Sequence, residues 1–182
     1  MEEDLIQMPK FSQIDTWTLP VSALENAFAE MAIDGRDGNE GVTLWLGKRG
    51  NGRAEITHSV VLRGPGVIKR PAYLNIEPDL LNDVADLAIE LDVSLVGQIH
   101  SHGHGYSTDL SLTDRNYGIR VPYYLSLVAP DYAMNAGIPI TDCGVHVYER
   151  DLRFRRFSLS EVDTRIKLVG GIDTPVLTVG EV

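Results

Sequence analysis

Three residues near the middle of the chain, His100, His102 and Asp114, have the types and spacing of metal ligands. Histidines at positions i and i+2 of a strand point to the same face, so both imidazoles can reach one ion. A carboxylate from the first turn of a following helix would add a third ligand and leave a fourth position for water. Because this layout is typical of catalytic rather than structural zinc, the three residues predict a catalytic metal site.

Two neighbours extend this candidate site. Ser111 stands three residues before Asp114, where its hydroxyl could take part in the chemistry, although the same Ser-x-x-Asp pattern is also a helix capping box. His104 follows His102 by two residues and is an additional candidate ligand. The ligand pair could therefore be His100 with His102 or His102 with His104. We prefer the first pair because the strand before it runs directly into His100.

The segments around these residues predict how they are positioned. Apolar residues recur at helical spacing over residues 78 to 91, with Pro78 in the first turn. A buried strand over residues 93 to 100 follows, and a short helix is predicted from Ser111 to about Gly118. A strand that delivers ligands at its carboxyl end, beside the start of a helix, is where mixed folds commonly place their sites.

Earlier and later segments predict a mixed sheet. A Ser22-x-x-Glu25 capping box opens a helix to about residue 33, and residues 42 to 46 and 54 to 62 form a hairpin. Residues 63 to 76 are expected to be mostly loop, with a short strand at 73 to 76. Further strands are predicted at 123 to 129, 144 to 148 and 152 to 159. The fold class is therefore α/β (α+β), with a mixed central β-sheet flanked by helices.

Composition narrows the class of protein. A length of 182 residues fits a single domain over residues 1 to 182, with residues 1 to 15 and 170 to 182 as flexible arms, the latter alternatively a strand. The net charge of -10 disfavours nucleic acid and anionic membranes as partners. Cys143 is the single cysteine, which excludes an internal disulfide. No apolar run is long enough to span a bilayer, so we expect a cytoplasmic protein.

Two segments resemble the JAMM (MPN+ or JAB) family of zinc metalloproteases. Val96-Gly97-Gln98-Ile99-His100-Ser101-His102 followed by Ser111-x-x-Asp114 is similar to the family's zinc signature. Glu40-Gly41-Val42-Thr43-Leu44-Trp45-Leu46-Gly47 resembles the family's glutamate segment, in which an apolar strand follows the acid and ends in glycine. The detailed resemblance covers residues 40 to 47 and 96 to 114. It extends loosely over about residues 20 to 150 through the order of helix, hairpin, helix and strand.

The chain departs from the family pattern in the loop that follows the histidines. Eight residues separate His102 from Ser111, one more than is usual, and Gly103 stands where a proline commonly follows the second histidine. Pairing His102 with His104 would instead make the interval to Asp114 one residue shorter than usual. The family pattern also favours His100 and His102, because Val96 and Gly97 precede them as in the family.

The resemblance implies a JAB/MPN fold, similar to the cytidine deaminase-like arrangement, with one Zn²⁺ per chain held by His100, His102 and Asp114. It implies that Glu40 is the general base and that Ser111 donates a hydrogen bond to the tetrahedral oxyanion. The expected activity is that of a zinc-dependent isopeptidase or peptidase, deubiquitinase-like, cleaving after the C-terminus of ubiquitin or a ubiquitin-like protein. The zinc would supply a bound water with a pKa near 7.

The resemblance also implies partners and leaves alternatives. The expected partners are a ubiquitin-like protein or its conjugates, and the activating and conjugating enzymes encoded with small members of the family in bacterial operons. One alternative is a catalytically silent MPN-like scaffold, which the presence of all five site residues disfavours. Others are a peptidase that processes a sulfur carrier, or a RadC-like protein. A zinc deaminase is disfavoured because its usual cysteine pair needs more than the single Cys143.

Overall fold

The computed structural model of the protein describes residues 12–135, 137–149, 151 and 153–181. Its helices are α1 Val21–Arg36, α2 Pro78–Glu90, α3 Leu112–Tyr117 and α4 Leu159–Arg165. Its strands are β1 Thr16–Pro20, β2 Val42–Gly50, β3 Arg53–Arg63, β4 Val67–Arg70, β5 Tyr73–Ile76, β6 Ser94–Ser101, β7 Leu125–Ala129, β8 Gly144–Tyr148, β9 Phe154–Arg156, β10 Ile166–Val169 and β11 Val176–Gly180. Two 3-10 turns, Asp131–Ala133 and Ile140–Asp142, complete the described elements.

Nine of these strands form one mixed sheet, in the order β10-β1-β3-β2-β6-β7-β8-β9, with β11 also pairing with β3. The central strand β2 runs antiparallel to both of its neighbours, β3 and β6, whereas β7 pairs with β6 in parallel. The strands β4 and β5 form a separate hairpin of two strands. The observed fold is therefore mixed α/β, as the sequence predicts.

Helices cover both faces of the central strands, which explains why β2 reads as a continuous apolar run. On one face Val42, Leu44 and Leu46 pack with the buried side of α2, which is built from Leu80, Val84 and Ala88. On the other face Trp45 packs in a larger core with α1, including Ala27 and Met31. Trp45 is fully buried in this core.

Most predicted elements lie where the sequence places them, and three differ. The helix α1 begins at Val21 with Pro20 at its N-cap, so Ser22 lies inside the first turn and does not cap the helix. The Ser22 hydroxyl instead accepts from Thr174 N at 3.1 Å and donates to Ile172 O at 2.6 Å. The strand β4 occupies residues predicted as loop. Residues 159 to 165 form α4, capped by Ser158 with Glu161, so the strand predicted to residue 159 ends at Arg156.

The two expected arms contain ordered residues. Residues 176 to 180, left open as a strand or an arm, form β11, which pairs in parallel with β3 at Ser59 to Arg63. Of the N-terminal stretch, residues 1 to 11 lie outside the described residues. Ile14 is fully buried, and Asp15 N donates to Gly52 O at 2.8 Å, so these two residues pack against the fold. Within the described part of the chain, none of the helices has the length and apolarity needed to cross a membrane.

Candidate metal centre

Strand pairing brings the acidic and histidine segments together. The strands β2 and β6 are antiparallel, and Val42 lies opposite His100. Counting two residues outward on each strand sets Glu40 beside His102. The pairing extends beyond the start of β2, since Ser101 N donates to Gly41 O at 3.0 Å and Gly41 N donates to Ser101 Oγ at 2.9 Å. A segment 60 residues upstream is thereby fixed next to the histidines.

The three predicted ligands converge on one point. The Nε2 atoms of His100 and His102 are 3.2 Å apart, and Asp114 Oδ2 lies 3.5 Å from the first and 3.3 Å from the second. Ligands at about 2.0–2.1 Å from a tetrahedral ion are separated by roughly 3.3 Å, so the three distances fit three corners of one tetrahedron. His100, His102 and Asp114 can therefore hold a metal ion together.

The loop after His102 sets the tautomer of that histidine. His102 Nδ1 lies 2.7 Å from Ser107 O, and a carbonyl can only accept, so in the neutral ring Nδ1 carries the proton and Nε2 offers its lone pair. Arg156 of β9 holds the same loop by donating to Asp109 and, at 3.0 Å, to Thr108 Oγ1. The longer loop thus supplies a hydrogen-bond acceptor behind a candidate metal ligand, an arrangement that is common in metal sites.

Asp114 is held by the cap of its own helix. Its Oδ2 accepts from Ser111 N at 2.7 Å, while Asp114 N donates to Ser111 Oγ at 3.1 Å, which completes the capping box. Burial opposes ionisation of Asp114, but hydrogen bonds from His100, His102 and Ser111 outweigh it and hold its pKa well below the usual range. The carboxylate is therefore charged and directed at the histidines. Ser111 Oγ uses a lone pair in the cap and keeps its proton available to donate.

Glu40 lies in the same pocket but outside the ligand group. One pocket is lined by Glu40, His102, Ser111 and Asp114, together with Tyr73 and other residues. The Glu40 side chain is only 8% exposed. Burial raises its pKa to about 7, an effect that the charge of His102 opposes and that of Asp114 reinforces. A carboxyl group with a pKa near neutrality can both accept and return a proton at physiological pH.

The pKa of His102 is set by hydrogen bonds and nearby charges that outweigh the effect of burial. Burial disfavours its imidazolium form, but hydrogen bonds with Asp114 and Ser107 and the charges of Asp114 and Glu40 together raise its pKa above the ordinary value. Protonated His102 cannot bind a metal through Nε2. The negative charges that attract a cation to the site also attract a competing proton, so metal uptake should weaken at acidic pH.

His104, the additional candidate ligand, points elsewhere. Its side chain is 69% exposed, and Nδ1 lies 3.1 Å from Asp131 Oδ1. Its ring also packs edge-on against Tyr132. The structure therefore groups His100, rather than His104, with His102 and Asp114. His146 is fully buried in β8, as expected for a structural histidine.

One residue that supports the site, Tyr132, has no motif in the sequence that would predict its role. Tyr132 N donates to His102 O at 2.7 Å, and the Tyr132 hydroxyl donates to Pro71 O at 2.9 Å, so this residue links the ligand segment to the β4–β5 hairpin. It lies in a turn in which Asp131, Tyr132 and Ala133 all have φ between 52° and 55°, a conformation that costs free energy for residues other than glycine. The unfavourable backbone places Tyr132 against the site.

Comparison with known proteins adds information on the fold alone. No family model matches the chain, and no curated protein matches it. Among solved structures, the chain is similar to the solution structure of a structural genomics target protein from Desulfitobacterium hafniense. The TM-score is 0.61 at 15% sequence identity, over 87% of this chain and 96% of that one. At this identity the likeness shows a shared mixed α/β fold.

Proposed function

We propose that the protein is a zinc-dependent isopeptidase or peptidase of the JAMM type, with a JAB/MPN fold. The observation that carries the proposal is the arrangement of one pocket. Three ligand side chains converge at tetrahedral spacing, while Glu40 and Ser111 line the same pocket without belonging to the ligand group. This is the set of groups that metal-assisted hydrolysis of an amide requires.

The donor set favours zinc. Two imidazole nitrogens and one carboxylate oxygen at tetrahedral spacing suit Zn²⁺, whereas Ca²⁺ and Mg²⁺ prefer sites built from oxygen ligands. A bound zinc ion would lower the pKa of a coordinated water and polarise the scissile carbonyl. Metal ligands with the opposing ring nitrogen already hydrogen-bonded, as in His102, also lose little freedom on binding.

The remaining steps belong to residues of the chain. Glu40, buried beside His102, takes the proton of the attacking water and passes it to the leaving amine. Burial favours the protonated form of Glu40, which is the form that returns the proton to the leaving amine. The Ser111 hydroxyl donates a hydrogen bond to the oxyanion of the tetrahedral intermediate, while its Oγ is held in place by accepting from Asp114 N. The capping box therefore positions a catalytic donor and a metal ligand together.

The β4–β5 hairpin suggests the shape of the substrate. Residues Ala72, Tyr73 and Leu74 of the hairpin line the pocket that contains Glu40. Among the described strands β5 pairs with β4 alone, so its other edge can receive an extended peptide. An extended C-terminal tail of a ubiquitin-like protein would lie along this edge with the scissile bond over the metal. We propose such a protein or its conjugates as the substrate, in the cytoplasm, with activating and conjugating enzymes as pathway partners.

The test is a cleavage assay on a panel of ubiquitin-like proteins, each fused at its C-terminus to a reporter, beside a small-molecule amide. We expect the zinc-loaded parent to release the reporter, Glu40→Gln to be inactive, and Ser111→Ala to lose roughly 10²–10³ in kcat. His58→Gln, remote from the pocket, is the matched control. Cleavage of the small amide alone would refute the proposal of a ubiquitin-like substrate. Full activity of Glu40→Gln would refute the proposal that Glu40 is the general base.

A further inference from the structure

His100, the other histidine of the centre, needs a hydrogen-bond acceptor that cannot be identified from the sequence. His100 directs Nε2 at His102 and Asp114, so a metal would bind through that atom. A neutral imidazole that offers the lone pair of one nitrogen carries its proton on the other. His100 Nδ1 must therefore donate a hydrogen bond. Since His100 is 99% buried, this donor has to be satisfied within the protein.

The group that faces His100 Nδ1 is the side-chain amide of Gln98. These two residues lie two positions apart on β6 and share a face. Gln98 Nε2 is 3.4 Å from His100 Nδ1 and 3.4 Å from Ser126 Oγ, while Tyr124 donates its hydroxyl to Gln98 Oε1 at 3.3 Å. Tyr124 and Ser126 are buried, so the half-buried amide meets buried polar groups of the protein on this side.

Rotation of this amide by half a turn about its last bond exchanges the oxygen and the nitrogen. Oε1 then accepts from His100 Nδ1 and from the Ser126 hydroxyl, and Nε2 donates to Tyr124 Oη. Each of the four side chains then keeps at least one hydrogen-bond partner of the correct type. The exchange requires no movement of the backbone. The network can therefore accept a hydrogen bond from His100 when its proton is on Nδ1.

We propose that Gln98 is a positioning residue of the metal centre: its amide oxygen holds the proton of His100 on Nδ1 and so presents Nε2 to the metal. The inference rests on the metal centre of the proposed function, and it concerns metal affinity rather than the reaction. The two histidine ligands are then fixed differently, His102 by the Ser107 carbonyl of the loop and His100 by a half-buried side chain of the sheet.

The experiment compares zinc dissociation constants, measured by competition with a chromophoric chelator, for the parent, Gln98→Met and Gln98→Glu. Removal of such an outer partner typically weakens metal binding 10- to 100-fold, which we expect for Gln98→Met. Gln98→Glu keeps an acceptor for His100, Ser126 and Tyr124, all of which can donate, and should bind zinc at least as tightly as the parent. Asn75→Leu, which removes another amide lining the pocket next to Gln98, should change the constant less than twofold.

A purely structural role for Gln98 would give a different pattern. Both Gln98 variants would then weaken zinc binding alike, and this result would overturn the proposal, as would parent-like affinity in Gln98→Met. If Gln98→Met fails to fold, the ¹⁵N chemical shifts of the His100 ring are compared in the parent, Gln98→Glu and Tyr124→Phe. The proposal requires that Nδ1 of His100 carries its proton in the parent and in Gln98→Glu; loss of that proton in Gln98→Glu would overturn it. A parent that binds zinc without cleaving any fusion would refute the proposed function alone. A parent that binds no zinc would overturn both.

Discussion

Replacement of Glu40 by glutamine should stabilise the protein when it is studied in the presence of a strong chelator. Burial raises the pKa of Glu40 from 4.5 to about 7. Between these values the folded protein keeps a proton that the unfolded chain releases. The free energy of unfolding therefore falls as the pH rises from 4.5 through 7. The full penalty, present above pH 7, is about 3 kcal/mol, because one pKa unit corresponds to about 1.4 kcal/mol.

Glu40→Gln has nearly the same shape and no charge, so it removes this penalty. The attraction between the Glu40 carboxylate and protonated His102 is lost as well, which makes about 3 kcal/mol an upper limit. Urea unfolding with chelator from pH 5 to 8.5 would measure the effect, with Glu25→Gln as a control at an exposed carboxylate. We expect the variant and the parent to converge near pH 5 and the variant to be more stable at pH 8. Equal stability at pH 8, or a variant less stable than the parent, would refute the reasoning.

Three further predictions concern residues around the centre. Burial lowers the pKa of His146 to about 4, so the free energy of unfolding should fall by up to about 3 kcal/mol as the pH is lowered from 6.5 to 4. In urea unfolding over this pH range, His146→Phe should show a smaller dependence of the unfolding free energy on pH. Arg156→Met should speed hydrogen exchange of the loop amides at 107 to 109, whereas the neighbouring exposed Arg153→Met should not. Gly97→Ala would bring a Cβ within 2.8 Å of Leu125 O, so we expect a loss of about 1–3 kcal/mol in urea unfolding; parent-like stability would contradict this contact.

The ligands were predictable because their signal is local. His100 and His102 share a strand face, and Ser111 with Asp114 forms a pattern that also caps a helix, so short-range rules place each pair. Glu40 was predictable only through the family resemblance. Its position depends on the register between β2 and β6, which joins segments 60 residues apart.

The supporting groups could not be predicted in this way. Ser107 contributes a backbone carbonyl, which every residue possesses, and its place behind His102 follows from the path of the loop. Gln98 is an ordinary polar residue of a strand until Tyr124 and Ser126 of the next segment enclose it. The predicted capping box of α1 is wrong because the helix begins at Val21, one residue before Ser22, and the Ser22 hydroxyl bonds instead to Ile172 O and Thr174 N, 150 and 152 residues away.

The most direct test of the metal centre is elemental analysis of the purified protein combined with X-ray absorption spectroscopy at the zinc edge. The account predicts one zinc per chain in the parent and in Glu40→Gln, with two imidazole ligands, and loss of zinc in His102→Ala but not in His104→Ala. No zinc after reconstitution, or zinc retained in His102→Ala, would contradict the central claim that His100, His102 and Asp114 form the metal site.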